Sequence, residues 1–260
     1  MPSPPPTAHD LRTLTGPRRA AALETLLSDL RSPDPVVRDE RAYRRAKEWV
    51  PHLDAGELRM LGDRTAQHLA HPEVQARTFA PLVLARIAEA GDWRPEWWDA
   101  FARWYPAEQD LRGHDAALGW LHAAAHGADL LAALARGRRE PPGMLAGTAV
   151  ARLLAPTTHL FDAQEDDRIA HALVQILARP DITAADSERW AEPVVAAFRT
   201  GEPGPVPAWA SNTMRTLRAL YVLADRGFRD DEGLVRTVTH RPAVLRAVAG
   251  ALGIVAPYAV

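Results

Sequence analysis

Residues 108–131 read EQDLRGHDAALGWLHAAAHGADLL, and this stretch decides how the rest of the chain is interpreted. At 100° per residue on a helix, several of its polar and glycine positions fall in one stripe about 80° wide. The stripe consists of Asp115, Gly119, His122, His126 and Asp129. Most of the remaining circumference is apolar, which is typical of a buried helix. The sequence therefore predicts a buried central helix over residues 113–135, with a polar stripe that faces an interior groove or pocket.

The two histidines of this stripe have two interpretations. His122 and His126 are four residues apart, so a helix places both imidazoles on one side, a spacing that suits one metal ion. Asp129, one turn later, would supply an oxygen ligand. The zinc-protease form of this spacing has a glutamate directly after the first histidine, and Ala123 stands there instead, which excludes a protease of that type. The alternative is a structural network in which neighbouring carboxylates or carbonyls satisfy each histidine.

Two glycines, Gly119 and Gly127, interrupt the predicted helix. A glycine inside a helix costs about 1 kcal/mol relative to alanine, so its presence calls for a reason. A missing side chain leaves space for a ligand or for the close approach of another helix.

The composition is that of a globular protein without a bias towards nucleic acid. Of the 260 residues, 47% are hydrophobic and 25% are charged, and the formal net charge of -2 gives no general attraction to phosphates. Because the chain has no cysteine, disulfides and thiolate sites are excluded. No run of 18 apolar residues predicts a membrane span, and the first residues lack the apolar core of a signal peptide. We therefore expect a cytoplasmic protein with no membrane partner.

Helix signals recur along the whole chain. Proline- and glycine-containing connections, such as SPDP at 32–35 and GEPGPVP at 201–207, separate segments with helical periodicity. No alternating strand pattern competes with them. About eleven helices, in pairs of roughly 35–45 residues, predict an all-α protein of HEAT-like or armadillo-like type, an α-solenoid of stacked antiparallel helix pairs. Residues 1–7 are predicted to be a disordered proline-rich tail, and residues 8–260 a single helical-repeat domain.

The central stretch also carries a long motif, an acid–x–Asp–x–Arg–Gly segment followed by Gly–Trp–x–His–x–x–Ala–His–x–Ala–Asp. Its members here are Glu108, Asp110, Arg112, Gly113, Gly119, Trp120, His122, Ala125, His126, Ala128 and Asp129, and shorter matches are Arg38-Asp39 before Tyr43, Arg77 with Phe79, and Asn212 ahead of Leu217 and Tyr221. In this motif the chain resembles a bacterial family catalogued as a domain of unknown function, number 2785. His114 departs from the pattern, which has an aromatic residue there. The resemblance implies an all-helical, HEAT-like fold and no assigned activity.

The first functional hypothesis is an enzyme or a small-molecule binding protein. His122, His126 and Asp129 would carry the chemistry, either as acid–base groups or as ligands of a divalent ion such as zinc, iron, manganese or nickel. Arg112 would bind an anion through two parallel hydrogen bonds from its planar guanidinium group. The other candidate ligand-binding residues are Glu108, Asp110, Asp39 and Trp120.

The second hypothesis is an interaction scaffold whose concave face holds a peptide or protein, with a polar stripe that only fixes helix register. Recognition of DNA bases is a third and weaker idea, because a near-neutral charge does not favour phosphate binding. Whether His122 and His126 face a cavity or pack against paired groups distinguishes the first two hypotheses.

Overall fold

The structure, a computed structural model, describes residues 8–201, 204–230 and 232–259. Its α-helices are α1 (Ala8–Thr13), α2 (Gly16–Asp29), α3 (Arg44–Trp49), α4 (Ala55–His68), α5 (Val74–Ala90), α6 (Pro95–Ala107), α7 (Ala123–Arg136), α8 (Pro142–Leu154), α9 (Glu165–Leu177), α10 (Asp186–Arg189), α11 (Glu192–Arg199), α12 (Ala208–Arg226) and α13 (Arg241–Val255). A π-helical segment, Val36–Tyr43, leads into α3, and 3-10 turns occupy Val50–His52 and Pro257–Ala259. The all-α class is confirmed; the predicted tail at 1–7 lies outside the described residues.

The helices stack in two layers. Helices α5, α7 and α9 lie side by side in one layer, with α12 beside α9, while α4, α6 and α8 follow one another in the second layer. Across the layers α4 contacts α5, α6 contacts α7, and α8 contacts both α7 and α9, which is the packing of a solenoid-like fold. The predicted solenoid-like arrangement is therefore confirmed. None of the helices in the described ranges combines the length and apolar character needed to cross a membrane.

Helix α7 is enclosed on several sides, because it packs on α5 and α9 in its own layer and on α6 and α8 in the other. Every α7 residue except Asp129 and Arg136 is buried. Gly127 faces α6, and a Cβ built at this position would lie 2.0 Å from the ring of Tyr105. Gly127 therefore serves the close approach of a neighbouring helix, which was one of the two explanations that the sequence left open.

The central helix begins later than the sequence predicts. Residues 113–122, which were expected to be helical, instead contain an antiparallel hairpin of β1 (His114–Asp115) and β2 (Gly119–Trp120). The Asp115 carboxylate accepts hydrogen bonds from the two backbone N–H groups at 117 and 118, a local arrangement that competes with helix formation. Gly119 has a left-handed φ of 72°, and a Cβ there would lie 2.7 Å from Pro35.

The prediction that all five polar and glycine positions lie on one face of a single helix is therefore wrong. Asp115, Gly119 and His122 precede α7, and only His126 and Asp129 lie on it. A second hairpin, β3 (Phe228–Arg229) with β4 (Val235–Arg236), also corrects the expectation of a chain without strands. Tight turns with positive-φ glycines, rather than long alternating segments, produce both hairpins.

We expect Gly127→Ala to destabilise the protein, because the new methyl group would overlap the Tyr105 ring in a packed core. Overpacking of this kind costs about 1–3 kcal/mol, measurable by urea denaturation. Gly147→Ala in α8 is the matched control, since a Cβ there meets no atom within 4 Å. The control should gain up to about 1 kcal/mol from helix propensity. Equal effects of the two changes would contradict the packing role of Gly127.

Candidate functional site

His122 immediately precedes α7 and has a left-handed backbone, with φ 47° and ψ 40°. Its N–H donates to the carbonyl oxygens of Arg112 and Gly113 at 3.2 and 3.3 Å, and its own carbonyl accepts the His126 N–H at 2.8 Å. The loop and the helix thus hold a conformation that is uncommon for a residue with a Cβ. Residues held in this way concentrate at functional sites.

The His122 side chain contacts Glu165, the first residue of α9, with Nδ1 3.0 Å from Oε1. Glu165 is fully buried, and its second oxygen accepts the N–H of Ala163 at 2.9 Å. Burial alone would raise the pKa of Glu165, but the hydrogen bonds from His122 and Ala163 outweigh burial and hold this pKa below its usual range. Because an ionised carboxylate only accepts, Nδ1 of His122 carries a hydrogen, and Nε2 is the acceptor in the neutral form of the ring.

The loop that leads into α9 has its own anchor. Gln164, the last residue before Glu165, is left-handed with a φ of 66°. Asn212 of α12 accepts the N–H of Phe161 and donates to the carbonyl of His159, both at 2.9 Å. Since Asn212 is buried, these two hydrogen bonds fix the loop over residues 155–164 against the core.

The loops before α7 and α9 meet at Gly113. A Cβ on Gly113 would lie 2.4 Å from the Ala163 Cβ and 2.7 Å from Oε1 of Glu165. Only a residue without a side chain permits this approach, and the approach brings Glu165 within reach of His122.

Glu108 anchors the start of the loop before α7. Its buried carboxylate accepts hydrogen bonds from Arg77 at 2.6 and 3.0 Å and from the Trp104 indole at 2.8 Å. Burial alone would raise the pKa of Glu108, but these hydrogen bonds lower it overall. Buried Arg152 donates to the Glu108 carbonyl oxygen at 2.7 Å. The observed contacts are structural, and the ligand-binding role of Glu108 stays a prediction.

Arg112, the predicted anion clamp, pairs with two carboxylates of its own loop. Its Nε and Nη2 donate to Asp110 at 2.8 and 2.6 Å, and its Nη1 pairs with Asp115. The hydrogen bonds from Arg112 hold the pKa of Asp110 below its usual range. A ligand of Arg112 would have to compete with both carboxylates, so the geometry supports bracing of the loop.

Arg38 holds the hairpin against the N-terminal helices. Its fully buried guanidinium donates to the carbonyl oxygens of Leu118 and Trp120 at 2.5 and 3.3 Å, and it lies 4.6 Å from the centre of the Phe79 ring. Its Nε lies 2.7 Å from an oxygen of Asp39, so this predicted ligand-binding residue is paired. Burial nevertheless raises the pKa of Asp39.

Trp120 covers His122 on the solvent side. Their ring centroids are 4.5 Å apart and their planes lie within 6° of each other. Trp120 is 48% exposed, and the ring of His114 meets it edge-on at 4.9 Å. The His126 ring lies 5.7 Å from His122. The hairpin thus adds an exposed aromatic wall to the two histidines, on which a ligand could stack.

His126 is a neutral, buried histidine. Its Nδ1 lies 2.9 Å from the Thr78 carbonyl oxygen, which only accepts, so this nitrogen carries the hydrogen and Nε2 is an acceptor. Burial lowers the pKa of His126 to about 3. His126 is thus satisfied at one nitrogen, as the structural interpretation expects, and keeps the other as an acceptor.

Asp129, the third predicted metal ligand, pairs with Arg168 of α9 through Nε at 3.1 Å and through Nη2. Across the described ranges, no group of three or more His, Cys, Asp or Glu side chains is arranged to hold a metal ion. His122 and His126 offer two nitrogen donors without a third ligand. The divalent-metal site therefore stays a prediction.

The site thus comprises a histidine–carboxylate pair at the starts of two neighbouring helices in an all-α, solenoid-like protein. A model of the family described as a protein of unknown function (DUF2785) matches residues 67–222. The chain belongs to this family, which confirms the resemblance of its central stretch. The match includes His122, His126 and Glu165.

Other comparisons add little to the family match. No curated protein sequence matches the chain. A crystal structure of an engineered protein from the Northeast Structural Genomics Consortium is similar, with a TM-score of 0.42 and 17% identity. That similarity covers 88% of this chain and 97% of the engineered protein.

Sequence reasoning missed Glu165 and Arg168, although a signal for them exists. The two residues are three apart at the start of a helix, so they share one face. His126 and Asp129 have the same spacing on α7. In the structure Arg168 meets Asp129 and Glu165 meets His122, but only the structure shows that α7 and α9 are neighbours.

We expect Arg38→Met to destabilise the protein by about 3 kcal/mol or more, because it leaves Asp39 and two hairpin carbonyls without their buried partner. Hydrogen exchange at residues 114–120 should also become faster. Arg41→Met, at an exposed arginine of the same helical segment, is the control and should change stability by less than about 0.5 kcal/mol. Similar losses in both variants would rule out a specific role for Arg38.

The pH dependence of stability should report the buried neutral His126. Its pKa of about 3 lies below the ordinary value of 6.5, so its contribution is complete above pH 6.5 and is lost as the pH falls towards 3. Between pH 7 and about pH 4.5 this single group should cost about 2.5 kcal/mol. His126→Asn keeps a donor for Thr78 but cannot titrate, so its unfolding free energy should fall less. Equal pH dependence in both proteins would refute the buried neutral state.

Proposed function

We propose that the protein is an enzyme that acts on a small molecule, with His122 as the group that transfers protons and Glu165 as its positioning residue. The observation that carries the proposal is the contact between Nδ1 of His122 and the buried carboxylate of Glu165, at 3.0 Å. A carboxylate in this place selects one tautomer and stabilises the imidazolium that forms when Nε2 accepts a proton.

The backbone supports a functional rather than a structural role for this pair. Within the described ranges, three non-glycine residues have a positive φ: His122, Arg138 and Gln164. Two of these three define the pair, because His122 is one partner and Gln164 directly precedes the other. If His122 served only packing, there would be no reason for a strained backbone at the starts of both α7 and α9.

The surrounding side chains suit proton transfer to or from a bound molecule. Trp120 provides an exposed aromatic face beside His122, and neutral His126 provides a second acceptor nitrogen nearby. The chain has no cysteine to act as a thiolate nucleophile. General-base chemistry, either proton abstraction or activation of water, is therefore the reaction class that we propose.

The tautomer of His122 is the first test, read by ¹⁵N NMR of labelled protein. In the wild type we expect the neutral ring to carry its hydrogen on Nδ1. In Glu165→Gln this preference should weaken, because a neutral amide can either donate or accept. A wild-type His122 with its hydrogen on Nε2 would contradict the proposal.

Turnover is the second part of this test. A pool of small carboxylic acids, esters and amides is incubated with wild type, His122→Asn and the control His52→Asn, and consumption is followed by mass spectrometry. Asparagine tolerates a left-handed backbone, so His122→Asn should fold. We expect wild type and control to consume the same component, and His122→Asn to be slower by about a hundredfold or more. Equal rates in wild type and His122→Asn, or no consumption by wild type, would refute the proposal.

A further inference from the structure

A cavity of about 200 Å³ lies beside the middle of α7, bounded by α5, α9 and the end of the Val36–Tyr43 segment. Its polar lining includes Tyr43, Arg86, Asp129, Arg168, His171 and Gln175. Pockets for drug-sized ligands measure about 300–1,000 Å³, so this cavity suits a smaller molecule or one end of a longer one.

Two side chains of this lining keep hydrogen-bond donors without a partner in the part of the chain that the structure describes. Arg168 uses Nε and Nη2 for Asp129, and its Nη1 makes no hydrogen bond. The hydroxyl of Tyr43 makes none either. Both residues line this same cavity of about 200 Å³. A cationic donor and a hydroxyl on one cavity wall favour a ligand with acceptor oxygens.

The acidic groups around the cavity limit the charge of that ligand. The lining carries three arginines, Arg86, Arg136 and Arg168, and one carboxylate, Asp129. Glu89 pairs with Arg86 and Arg136 at the edge, so three positive charges face two negative ones and one net positive charge remains. A carboxylate carries one negative charge on two oxygens, which matches one guanidinium nitrogen and one hydroxyl. A phosphate monoester carries nearly two charges, and Asp129 would repel it more strongly.

The Phe79 ring lies between Tyr43 of the cavity lining and His126. The Phe79 ring contacts the Tyr43 ring at 6.3 Å and the His126 ring at 5.2 Å, each edge-on. At a rise of 1.5 Å per residue, the seven residues from His122 to Asp129 span about 10 Å along the axis of α7. A molecule bound at both ends would therefore be extended.

We infer that this cavity binds the carboxylate group of an extended small carboxylic acid, and that Arg168 and Tyr43 hold its two oxygens. The assignment names the substrate class for the proton transfer at His122 and so rests on the proposed function. The carboxylate lies at the Arg168 end, and the group that exchanges a proton lies about 10 Å away, beside Nε2 of His122.

The test is titration of the full chain with acetate, hexanoate and inorganic phosphate at constant ionic strength, followed by calorimetry. We expect hexanoate and acetate to bind, and phosphate to bind more weakly. Tyr43→Phe removes only a hydroxyl that has no hydrogen bond in the described structure, so it should fold normally and lower carboxylate affinity by about tenfold. Arg168→Gln should lower it at least as much. Tyr221→Phe, at a 40% exposed tyrosine of α12, is the control and should bind like wild type.

Three results would overturn the assignment: no carboxylate binding by wild type, unchanged affinity in Tyr43→Phe and Arg168→Gln, or tighter binding of phosphate than of either carboxylate. Loss of affinity in both variants with a normal control supports it. The tautomer of His122 is read separately by NMR. Failure of the proton-transfer proposal is therefore distinguishable from failure of carboxylate binding.

Discussion

The close approach of two loops at Gly113 is the constraint on which the candidate site depends. A Cβ on residue 113 would lie 2.4 Å from the Ala163 Cβ and 2.7 Å from the Glu165 carboxylate, so any side chain there would push the second loop away. A buried carboxylate without donors is strongly destabilising, and Glu165 is satisfied by the Ala163 N–H and by the side-chain contact with His122. This contact offsets a left-handed backbone whose strain is about 1–3 kcal/mol. Glycine, carboxylate and histidine therefore form one interdependent unit.

The all-α class was predictable because helical periodicity and proline or glycine connections are local features of the sequence. The placement of His126 and Asp129 on one helix was predictable for the same reason, and both lie on α7. The start of that helix was not predictable. Its expected first turns are replaced by a hairpin, which depends on the Asp115 turn and on contacts of Gly119 and Leu118 with the distant residues Pro35 and Arg38.

The partners of the predicted site residues escaped sequence reasoning because each is remote in the chain. Glu165 is 43 residues from His122, Arg168 is 39 from Asp129, and Arg38 is 80 from Leu118. Only the stacking of α5, α7 and α9 makes them neighbours. A polar stripe read from one helix therefore identifies candidate groups but not whether another helix already satisfies them. Asp129 and Arg112 are both paired, whereas His122 keeps an acceptor nitrogen.

The protonation states of two buried groups explain why His122 can work as the proposed proton carrier. Burial lowers the pKa of His126 to about 3, so His126 is neutral at pH 7. The hydrogen bonds that outweigh burial keep Glu165 ionised under the same conditions. A charged His126 would repel positive charge on His122, since the two rings are only 5.7 Å apart. Because His126 stays neutral, it does not compete for the negative charge of Glu165, which can stabilise a positive charge on His122 once Nε2 has accepted a proton.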